Sequence, residues 1–291
     1  MKKIVTIILC TIFLAFISGC AQNNKKDYVV TIKTKYGDMV AILYDETPKH
    51  KANFIKLAKE HYFDSLLFHR IIEGFMIQGG DPDSRNAQPG QHLGQGGPGY
   101  TIDAEFNSKL FHEKGALSAA RLGDNQNPTK ASSGSQFYIV HGSVFKEEEL
   151  RTDQLKLNTA MQQYFQDPNN KPAYDSVVNF YQSGNMKGYQ DYIMKLKPRV
   201  EKATGIETDK QISPEKIEAY TTVGGAPHLD EGYTVFGKVI KGLDVIDKIA
   251  AQPKDQADRP IEDIRMFVTL EELSRKKIEK EYGYTYPEVK K

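Results

Sequence analysis

The sequence predicts a mainly β fold that is interrupted by an all-helical segment. Runs rich in β-branched and aromatic residues, such as 28–34 and 233–240, are typical of strands. Residues 143–222 instead carry apolar side chains at helical spacing. The chain has 291 residues, of which 39% are hydrophobic and 26% charged, as in one large globular domain or two small ones. This composition excludes a disordered chain and a many-pass membrane protein.

Charge and cysteine content exclude several function classes. The chain has 39 Lys and Arg against 38 Asp and Glu, whereas nucleic-acid binders normally carry a basic excess, so we expect no nucleic-acid partner. Its two cysteines cannot build a disulfide framework, an iron–sulfur cluster or a Cys-rich zinc site. None of the seven histidines lies three or four residues from another, so no helix presents a pair of histidine ligands. We predict no metal and no cofactor.

Residues 1–19 have the pattern of a bacterial lipoprotein signal peptide. Two lysines precede an apolar run that is too short for a membrane span of ~20 residues, and small residues follow before Cys20. The ending Ile-Ser-Gly-Cys resembles a lipobox, in which the cysteine becomes the lipidated first residue. An ordinary secretion signal or a short anchor is the alternative. We expect lipidation at Cys20, a polar tether over 20–27, and attachment to a lipid bilayer in the cell envelope, at the periplasmic face of the outer membrane.

The elements of the N-terminal part begin with a β-hairpin. Residues 28–34 and 38–44 are strand-like, and a Tyr-Gly pair lies in the short gap between them. A Thr-Pro pair then favours a helix start, and apolar spacing extends that helix over 48–59. Residues 68–80 form a second strand-rich stretch. The Gly, Pro, Asn and Gln content of 81–99 predicts a long loop.

The middle of the chain changes from strands to helices. Residues 115–120 and 135–140 are predicted strands separated by a polar loop. Within the block 143–222, apolar spacing predicts helices around 150–164, 174–181 and 186–196, the last ending near Pro198. A Ser-Pro-Glu sequence predicts a further helix start at 213–215. The block of helices is therefore an insertion in a β-rich chain.

Strand character resumes after the insertion. Residues 233–240 are predicted as a strand, 243–250 as a helix and 264–270 as a strand. The charged residues 271–291 are expected to form a solvated terminal helix or a tail.

A glycine-rich motif in the long loop does not indicate nucleotide binding. Residues 94–99 match G-x-G-x-x-G, but a dinucleotide fingerprint must follow a strand and open a helix. Here the motif follows a Pro- and Gly-rich loop and contains a proline. We interpret it as a loop.

Four collinear segments resemble the cyclophilins, a family of prolyl isomerases. They are Phe-His-Arg-Ile-Ile-Glu-Gly-Phe-Met-Ile-Gln-Gly-Gly-Asp at 68–81, Gly-Ala-Leu-Ser-Ala-Ala-Arg at 115–121, Gly-Ser-Gln-Phe-Tyr-Ile at 134–139 and Pro-His-Leu-Asp-Glu-Gly-Tyr-Thr-Val-Phe-Gly-Lys at 227–238. The resemblance covers about 28–142 and 223–270. It implies a closed eight-stranded antiparallel barrel that is capped by two helices. Because side chains fill such a barrel, a ligand must bind on its outside.

The resemblance implies catalysis of the cis–trans isomerisation of X-Pro bonds. Rotation about the peptide bond is opposed by a barrier of ~18–20 kcal/mol, and a fixed cation near the amide nitrogen would favour the twisted transition state. No nucleophile, metal or cofactor is needed. By resemblance, Arg70 is that cation, and Gln136 is the second catalytic residue. The partners implied are proline-containing polypeptides.

The remaining site residues are also implied by the resemblance. Those of the proline pocket and the adjoining peptide groove are Phe75, Met76, Gln78, Ala120, Arg121, Phe137, Tyr138, His228, Leu229 and Tyr233. Gln78, like Gln136, would steady Arg70 and bind the substrate backbone. Several positions depart from the common pattern: basic Arg121 replaces an Asn, His228 a Trp, Tyr233 a His and Tyr138 a Phe, and these changes affect drug binding and subsite preference.

Two hypotheses about the whole chain follow. In the first, a lipid-anchored prolyl isomerase assists the folding of exported proteins. In the second, the chain is a peptide-binding chaperone in which the helical insertion binds clients and isomerisation is secondary. A structural lipoprotein ranks last, because it would require a dead site and the site residues are present. No oligomeric state is predicted.

Overall fold

The structure is a computed structural model that describes residues 25–287. The predicted signal peptide over 1–19, Cys20 and most of the predicted tether lie outside the described residues. The described chain divides into two compact units. One consists of residues 25–143 together with 225–287, and the other is Val144–Gly224.

The first unit is built on an eight-stranded antiparallel sheet, with two short strands in a second sheet. In chain order the strands are β1 (Lys26–Thr34), β2 (Gly37–Leu43), β3 (Phe68–Ile72), β4 (Met76–Gly79), β5 (Thr101–Ile102), β6 (Ala116–Ala119), β7 (Ser132–Ser133), β8 (Phe137–Val140), β9 (Val235–Lys241) and β10 (Phe267–Ser274). The large sheet has the order β10-β1-β2-β9-β6-β8-β4-β3, and β5 pairs with β7.

Eight α-helices accompany these strands within residues 25–287. They are α1 (Pro48–Lys59), α2 (Glu147–Leu150), α3 (Gln154–Tyr164), α4 (Lys171–Gln182), α5 (Met186–Thr204), α6 (Pro214–Thr222), α7 (Leu243–Ala250) and α8 (Arg275–Tyr282). None of the helices in this part of the chain combines the length and the apolar character that crossing a bilayer requires.

The core of the first unit lies on the concave face of the sheet. Successive strand residues point to opposite faces, so Leu117, Ile77 and Ile139 enter the core while their neighbours along each strand face outward. Phenylalanine rings fill the space beneath α1: the centroids of Phe54 and Phe63 are 4.8 Å apart. Helices α1 and α7 both bury their apolar faces against this core.

The sheet is open between β3 and β10, so the predicted closed barrel is not confirmed. An isolated bridge between Leu67 and Arg265 joins the segments that precede these two edge strands. The register between β3 and β4 shifts between Phe68 and Arg70, and further along β3 the amide of Ile71 donates to the carbonyl of Asp258 at 2.8 Å. The loop before β10 therefore takes the hydrogen bonds that a continuous closing ladder would use.

The C-terminal residues form a helix, which was one of the two predicted alternatives, but this helix is not wholly solvated. The last strand extends to Ser274 rather than ending near residue 270, and α8 follows it directly. Ile278 of α8 is fully buried and packs with Leu273 and Val29 on the convex side of β1. Apolar residues among the many charges thus give this helix one buried face.

The second unit is an all-helical bundle formed by α2 to α6. Helices α3, α4 and α5 share a core, and α5 does not end near Pro198 as predicted. Leu196 and Val200, on either side of the proline, are both buried in that core, so packing holds the helix together through Pro198. The helix ends at Gly205, whose φ of +71° is a left-handed cap that favours glycine.

Removal of the cap of α5 should weaken the insertion. The Asn185 side chain accepts a hydrogen bond of 2.9 Å from the amide of Gly188, which otherwise has no intrahelical partner. Asn185→Ala should therefore lower the free energy of unfolding of this unit by about 1 kcal/mol. Hydrogen exchange of the α5 amides measures the change. Asn179→Ala, an exposed position inside α4, is the matched control, and an equal loss there would contradict the capping role.

Candidate active site

The candidate site lies on the outer face of the sheet, across β3, β4, β8 and β6. The antiparallel register places Arg70 opposite Gln78, Gln78 opposite Tyr138, and Tyr138 opposite Ser118. Because residues that are paired across strands share a face, these four side chains form one row. In the sequence they are spread over 69 positions, from 70 to 138, and the sheet brings them together.

A chain of side-chain hydrogen bonds fixes the polar part of the row. Arg70 donates through Nη1 to Oε1 of Gln78 at 3.4 Å, and Gln78 donates through Nε2 to Oε1 of Gln136 at 3.2 Å. Gln136 in turn donates to the carbonyl oxygen of Gly96 at 2.7 Å. Each amide is oriented by its neighbour, so Gln78 presents an acceptor to the guanidinium. Gly96 belongs to the glycine-rich loop motif, which therefore closes this network.

The charge of Arg70 is only partly compensated. Its side chain is 42% exposed, and its Nε lies 3.8 Å from Oδ2 of Asp258, which is a long ion pair. Asp258 also pairs with Lys254 at 2.7 Å. The guanidinium thus keeps much of its positive field at the mouth of the site, where it can act on a ligand.

Beside the guanidinium lies an apolar cluster on the same face. Met76, Tyr138 and Leu229 are buried in it, and Phe75 and Tyr233 are partly buried against it. The rings of Phe75 and His228 are 5.3 Å apart, and those of Tyr138 and Tyr233 meet edge to face at 6.0 Å. The arrangement can take an apolar ring while Arg70 faces the polar backbone next to it.

Two polar residues that sequence reasoning missed support the floor of this pocket. His112 is fully buried, and its Nε2 lies 3.0 Å from the Tyr138 hydroxyl. Its Nδ1 lies 3.0 Å from Oδ1 of Asp230, so Nδ1 carries the proton and Nε2 accepts from Tyr138. Burial raises the pKa of Tyr138 well above its usual value, so the phenol remains a neutral donor. The extra hydroxyl at residue 138, which needs a buried partner, was the available sequence signal.

Tyr138→Phe should destabilise the first unit more than it affects turnover. It leaves Nε2 of His112 as a buried acceptor without its donor, which costs about 1–2 kcal/mol in the free energy of unfolding. Denaturant titration measures this loss. Tyr100→Phe removes an exposed tyrosine hydroxyl that bonds Asn53 at 2.6 Å, and it should cost much less. Equal losses in the two variants would contradict the proposed support of Tyr138 by His112.

Arg121 occupies the rim of the pocket in a fixed orientation. Its Nε donates to the carbonyl of Gly232 at 2.8 Å, and its Nη1 reaches Oδ1 of Asp124 at 2.6 Å. The guanidinium lies 4.3 Å from the ring centroid of Tyr233. The hydrogen bond to Arg121 lowers the pKa of Asp124. Ala120 beside it uses its amide to bond Gln136, at 3.0 Å, so its methyl group is what faces the cluster.

The structure does not bring all the expected residues together. Phe137 lies in the core, with its ring 5.7 Å from that of Phe63, because alternation along β8 points it away from Gln136 and Tyr138. Its side chain is therefore not part of the pocket, and this prediction is corrected. His228 is exposed and touches the site through Phe75. Within residues 25–287, no three His, Cys, Asp or Glu side chains cluster closely enough to hold a metal ion.

The site combines an outward-facing arginine with an apolar pocket on an eight-stranded antiparallel sheet. A crystal structure of a cyclophilin-type peptidyl-prolyl cis-trans isomerase of Cryptosporidium parvum has this fold, with a TM-score of 0.50 and 21% identity over 85% of this chain and 98% of that one. The profile of the family "Cyclophilin type peptidyl-prolyl cis-trans isomerase/CLD" matches residues 29–164 and 200–269. The chain belongs to this family of isomerases.

Bacterial relatives agree with this assignment. A Staphylococcus haemolyticus protein with the provisional name of peptidyl-prolyl cis-trans isomerase is 30% identical over 84% of this chain and 89% of that protein. A Streptococcus pyogenes protein, provisionally named a bifunctional phosphatase/peptidyl-prolyl cis-trans isomerase, is 34% identical over 81% of this chain. The chain spans 37% of the length of that second relative.

Proposed function

We propose that the chain catalyses cis–trans isomerisation of X-Pro bonds in extended polypeptides, with Arg70 as the principal catalytic residue. The observation that carries this proposal is the position of the Arg70 guanidinium on the same sheet face as the apolar cluster of Met76, Tyr138 and Leu229. A proline ring in the cluster would place its amide nitrogen towards the cation.

The mechanism needs no covalent chemistry. When the amide twists, resonance is lost and the nitrogen becomes pyramidal with a localised lone pair. A guanidinium donates to that lone pair but not to the planar nitrogen, so it binds the transition state more tightly than the ground state. Gln78 holds the guanidinium, and Gln136 holds Gln78, so the donor is already in place before the substrate arrives.

Exchange spectroscopy on a proline tetrapeptide tests the proposed activity. Uncatalysed isomerisation takes tens to hundreds of seconds, so a catalytic amount of the chain should produce cis–trans exchange peaks that the peptide alone lacks. A folded wild-type chain that leaves the exchange rate unchanged would rule out the activity.

We further propose that the enzyme works in the bacterial cell envelope on exported proteins, held to a bilayer through Cys20. The basic and apolar residues before the lipobox-like Ile-Ser-Gly-Cys support this location. Metabolic labelling with palmitate tests it: the wild-type chain should take up label and fractionate with membranes, and Cys20→Ser should do neither. Label in the Cys20→Ser chain would refute lipidation at this residue.

A second candidate function is client binding by the insertion. Exposed apolar side chains support it: Leu155 is 80% exposed, Tyr181 67% and Tyr174 48%. The ends of the first unit that flank the insertion, Ser143 and Gly225, exchange backbone hydrogen bonds of 3.0 and 2.9 Å, so 144–224 can be deleted with a short join. Suppression of client aggregation should fall in the deletion chain if the insertion binds clients, and unchanged suppression would reject this function.

A further inference from the structure

The turn that carries Phe75 is tied to the end of β8. The amides of His141 and Gly142 both donate to the carbonyl of Phe75, at 3.0 Å each. Ser143 donates through Oγ to the carbonyl of Gly74 at 3.0 Å, and the amide of Gly74 donates to Nδ1 of His141 at 2.9 Å. Three consecutive residues after β8 thus bind the two residues that place the Phe75 ring against the pocket.

The imidazole of His141 is held in one tautomer by its second nitrogen. Since Nδ1 accepts from the Gly74 amide, Nδ1 is unprotonated. Nε2 lies 3.2 Å from Oδ1 of Asp247 on α7, so it carries the proton. Lys114 pairs with the same carboxylate and fixes its position. A helix on the core side therefore orients the ring that holds the pocket turn.

We propose that His141, oriented by Asp247, is a positioning residue that sets the place of Phe75 and so determines the affinity of the pocket for the proline ring. The proposal rests on the proposed isomerase function, because it concerns the same pocket. Phe75 is partly buried against the cluster of Met76 and Leu229 and forms one wall of the pocket. A wall that binds the ring equally in the planar and the twisted state affects KM and leaves kcat unchanged.

The hydrogen bond from the Gly74 amide to Nδ1 of His141 depends on pH, because protonation of Nδ1 breaks it. A doubly protonated imidazole has no acceptor, so it would face the Gly74 amide with a second donor. The charged groups around the ring are Asp247 and Lys114 on the core side and Glu73 on the turn itself. Burial, with Lys114, lowers the pKa of His141 despite both carboxylates, so the acceptor form persists below the ordinary pKa of 6.5 and is lost at more acidic pH.

Two substitutions separate the acceptor from the bulk of the ring. His141→Asn keeps an oxygen close to the position of Nδ1, so it can still accept from Gly74 but cannot titrate. His141→Leu fills the space without an acceptor. His61→Asn is the control, since His61 Nδ1 also bonds a carboxylate, that of Asp64 at 3.0 Å, in the turn after α1, and Asn tolerates the left-handed backbone at residue 61.

The experiment measures kcat, KM and calorimetric Kd for a proline tetrapeptide across pH 4.5–8 in the full chain. His141→Leu should raise KM and Kd roughly fivefold to tenfold at pH 7.5 with kcat unchanged, the effect of losing about one hydrogen bond. His141→Asn should keep the wild-type Kd and lose the rise in Kd that the wild type shows at acidic pH. His61→Asn should behave as wild type.

Several results would overturn the inference. They are an unchanged Kd in His141→Leu, equal rises in the Leu and Asn variants, or an acidic rise in Kd that persists in His141→Asn. Because Kd is measured separately from turnover, an inactive wild type that still binds peptide would defeat the proposed isomerase function while His141 is still tested. Normal wild-type turnover with an unchanged His141→Leu variant would defeat the positioning role alone.

Discussion

Replacing Arg70 with alanine should lower kcat/KM for an X-Pro peptide by about 10²- to 10³-fold, the usual effect of removing one preorganised donor from a developing charge. The guanidinium meets the localised lone pair of the twisted nitrogen, and the nearby ammonium group of Lys254 is held elsewhere. Lys254 is engaged by Asp258 at 2.7 Å and by the carbonyl of Ile71 at 3.2 Å. The loss should appear mainly in kcat, since the apolar cluster that binds the ring remains.

Arg70→Lys distinguishes charge from geometry. An ammonium group keeps the positive field but cannot bond Gln78 and the substrate in one plane, so we expect it to recover part of the lost rate and not all of it. The fold should be unaffected, because Arg70 is 42% exposed and its ion pair is 3.8 Å long. Exchange spectroscopy gives the rate, and circular dichroism and thermal unfolding verify the fold.

The matched control for Arg70 is Arg151→Ala. This side chain is also 42% exposed and forms an ion pair of 2.7 Å with Glu147, so its removal alters charge and surface in a similar way. Its kcat/KM should stay at the wild-type value. A folded Arg70→Ala chain that turns over as fast as Arg151→Ala would contradict the catalytic role of Arg70.

Alternation along strands explains which of the residues implied by the resemblance share one face of the sheet. The motif at 134–139 places Gln136 and Tyr138 two residues apart, so they share a face, and the structure puts both beside Gln78. The same rule puts Phe137 on the opposite face, in the core. The resemblance predicts Phe137 as a pocket residue together with Gln136 and Tyr138, because a motif identifies residues and not the direction of their side chains.

The polar supports of the pocket could not be predicted in this way. His112 and Asp230 are 118 positions apart in the sequence, and His141 meets Gly74 only because β4 and β8 are adjacent. Neither the helical nor the strand repeat of apolar residues in the sequence indicates pairs that lie so far apart along the chain. The same holds for α5, where tertiary burial of Leu196 and Val200 overrides the tendency of Pro198 to end a helix. The open edge of the sheet also depends on a distant contact, since the carbonyl that bonds Ile71 of β3 belongs to Asp258.

The free energy of unfolding should fall by up to about 3 kcal/mol between pH 7 and pH 4 through His69 alone. This residue precedes Arg70 and is only 4% exposed, and among the described residues neither ring nitrogen has a hydrogen-bond partner. Burial lowers the pKa of His69 from 6.5 to about 4, an effect that the nearby Asp81 carboxylate opposes and Arg70 and Arg259 reinforce.

The sign of this effect follows from the proton balance. Below pH 6.5 the His69 side chain is protonated in the unfolded chain, whereas in the folded chain it stays neutral down to about pH 4. Between these two pH values acid therefore favours the unfolded chain. The contribution of neutral His69 to the free energy of unfolding is fully present above pH 6.5 and is lost as the pH falls towards 4. Because leucine is apolar and of similar size to the buried ring, His69→Leu should cost little stability at pH 7 and should remove this part of the pH dependence.

Denaturant titrations at half-unit steps from pH 7.5 to 4 measure the difference between the wild type and His69→Leu. That difference isolates residue 69, because other buried histidines such as His50, whose pKa is also lowered by burial, titrate alike in both chains. The control is His92→Gln, an exposed histidine of the adjoining loop, which should keep the wild-type slope. Parallel stability curves for the wild type and His69→Leu would show that the ring beside Arg70 accepts its proton as readily in the folded chain as in the unfolded one.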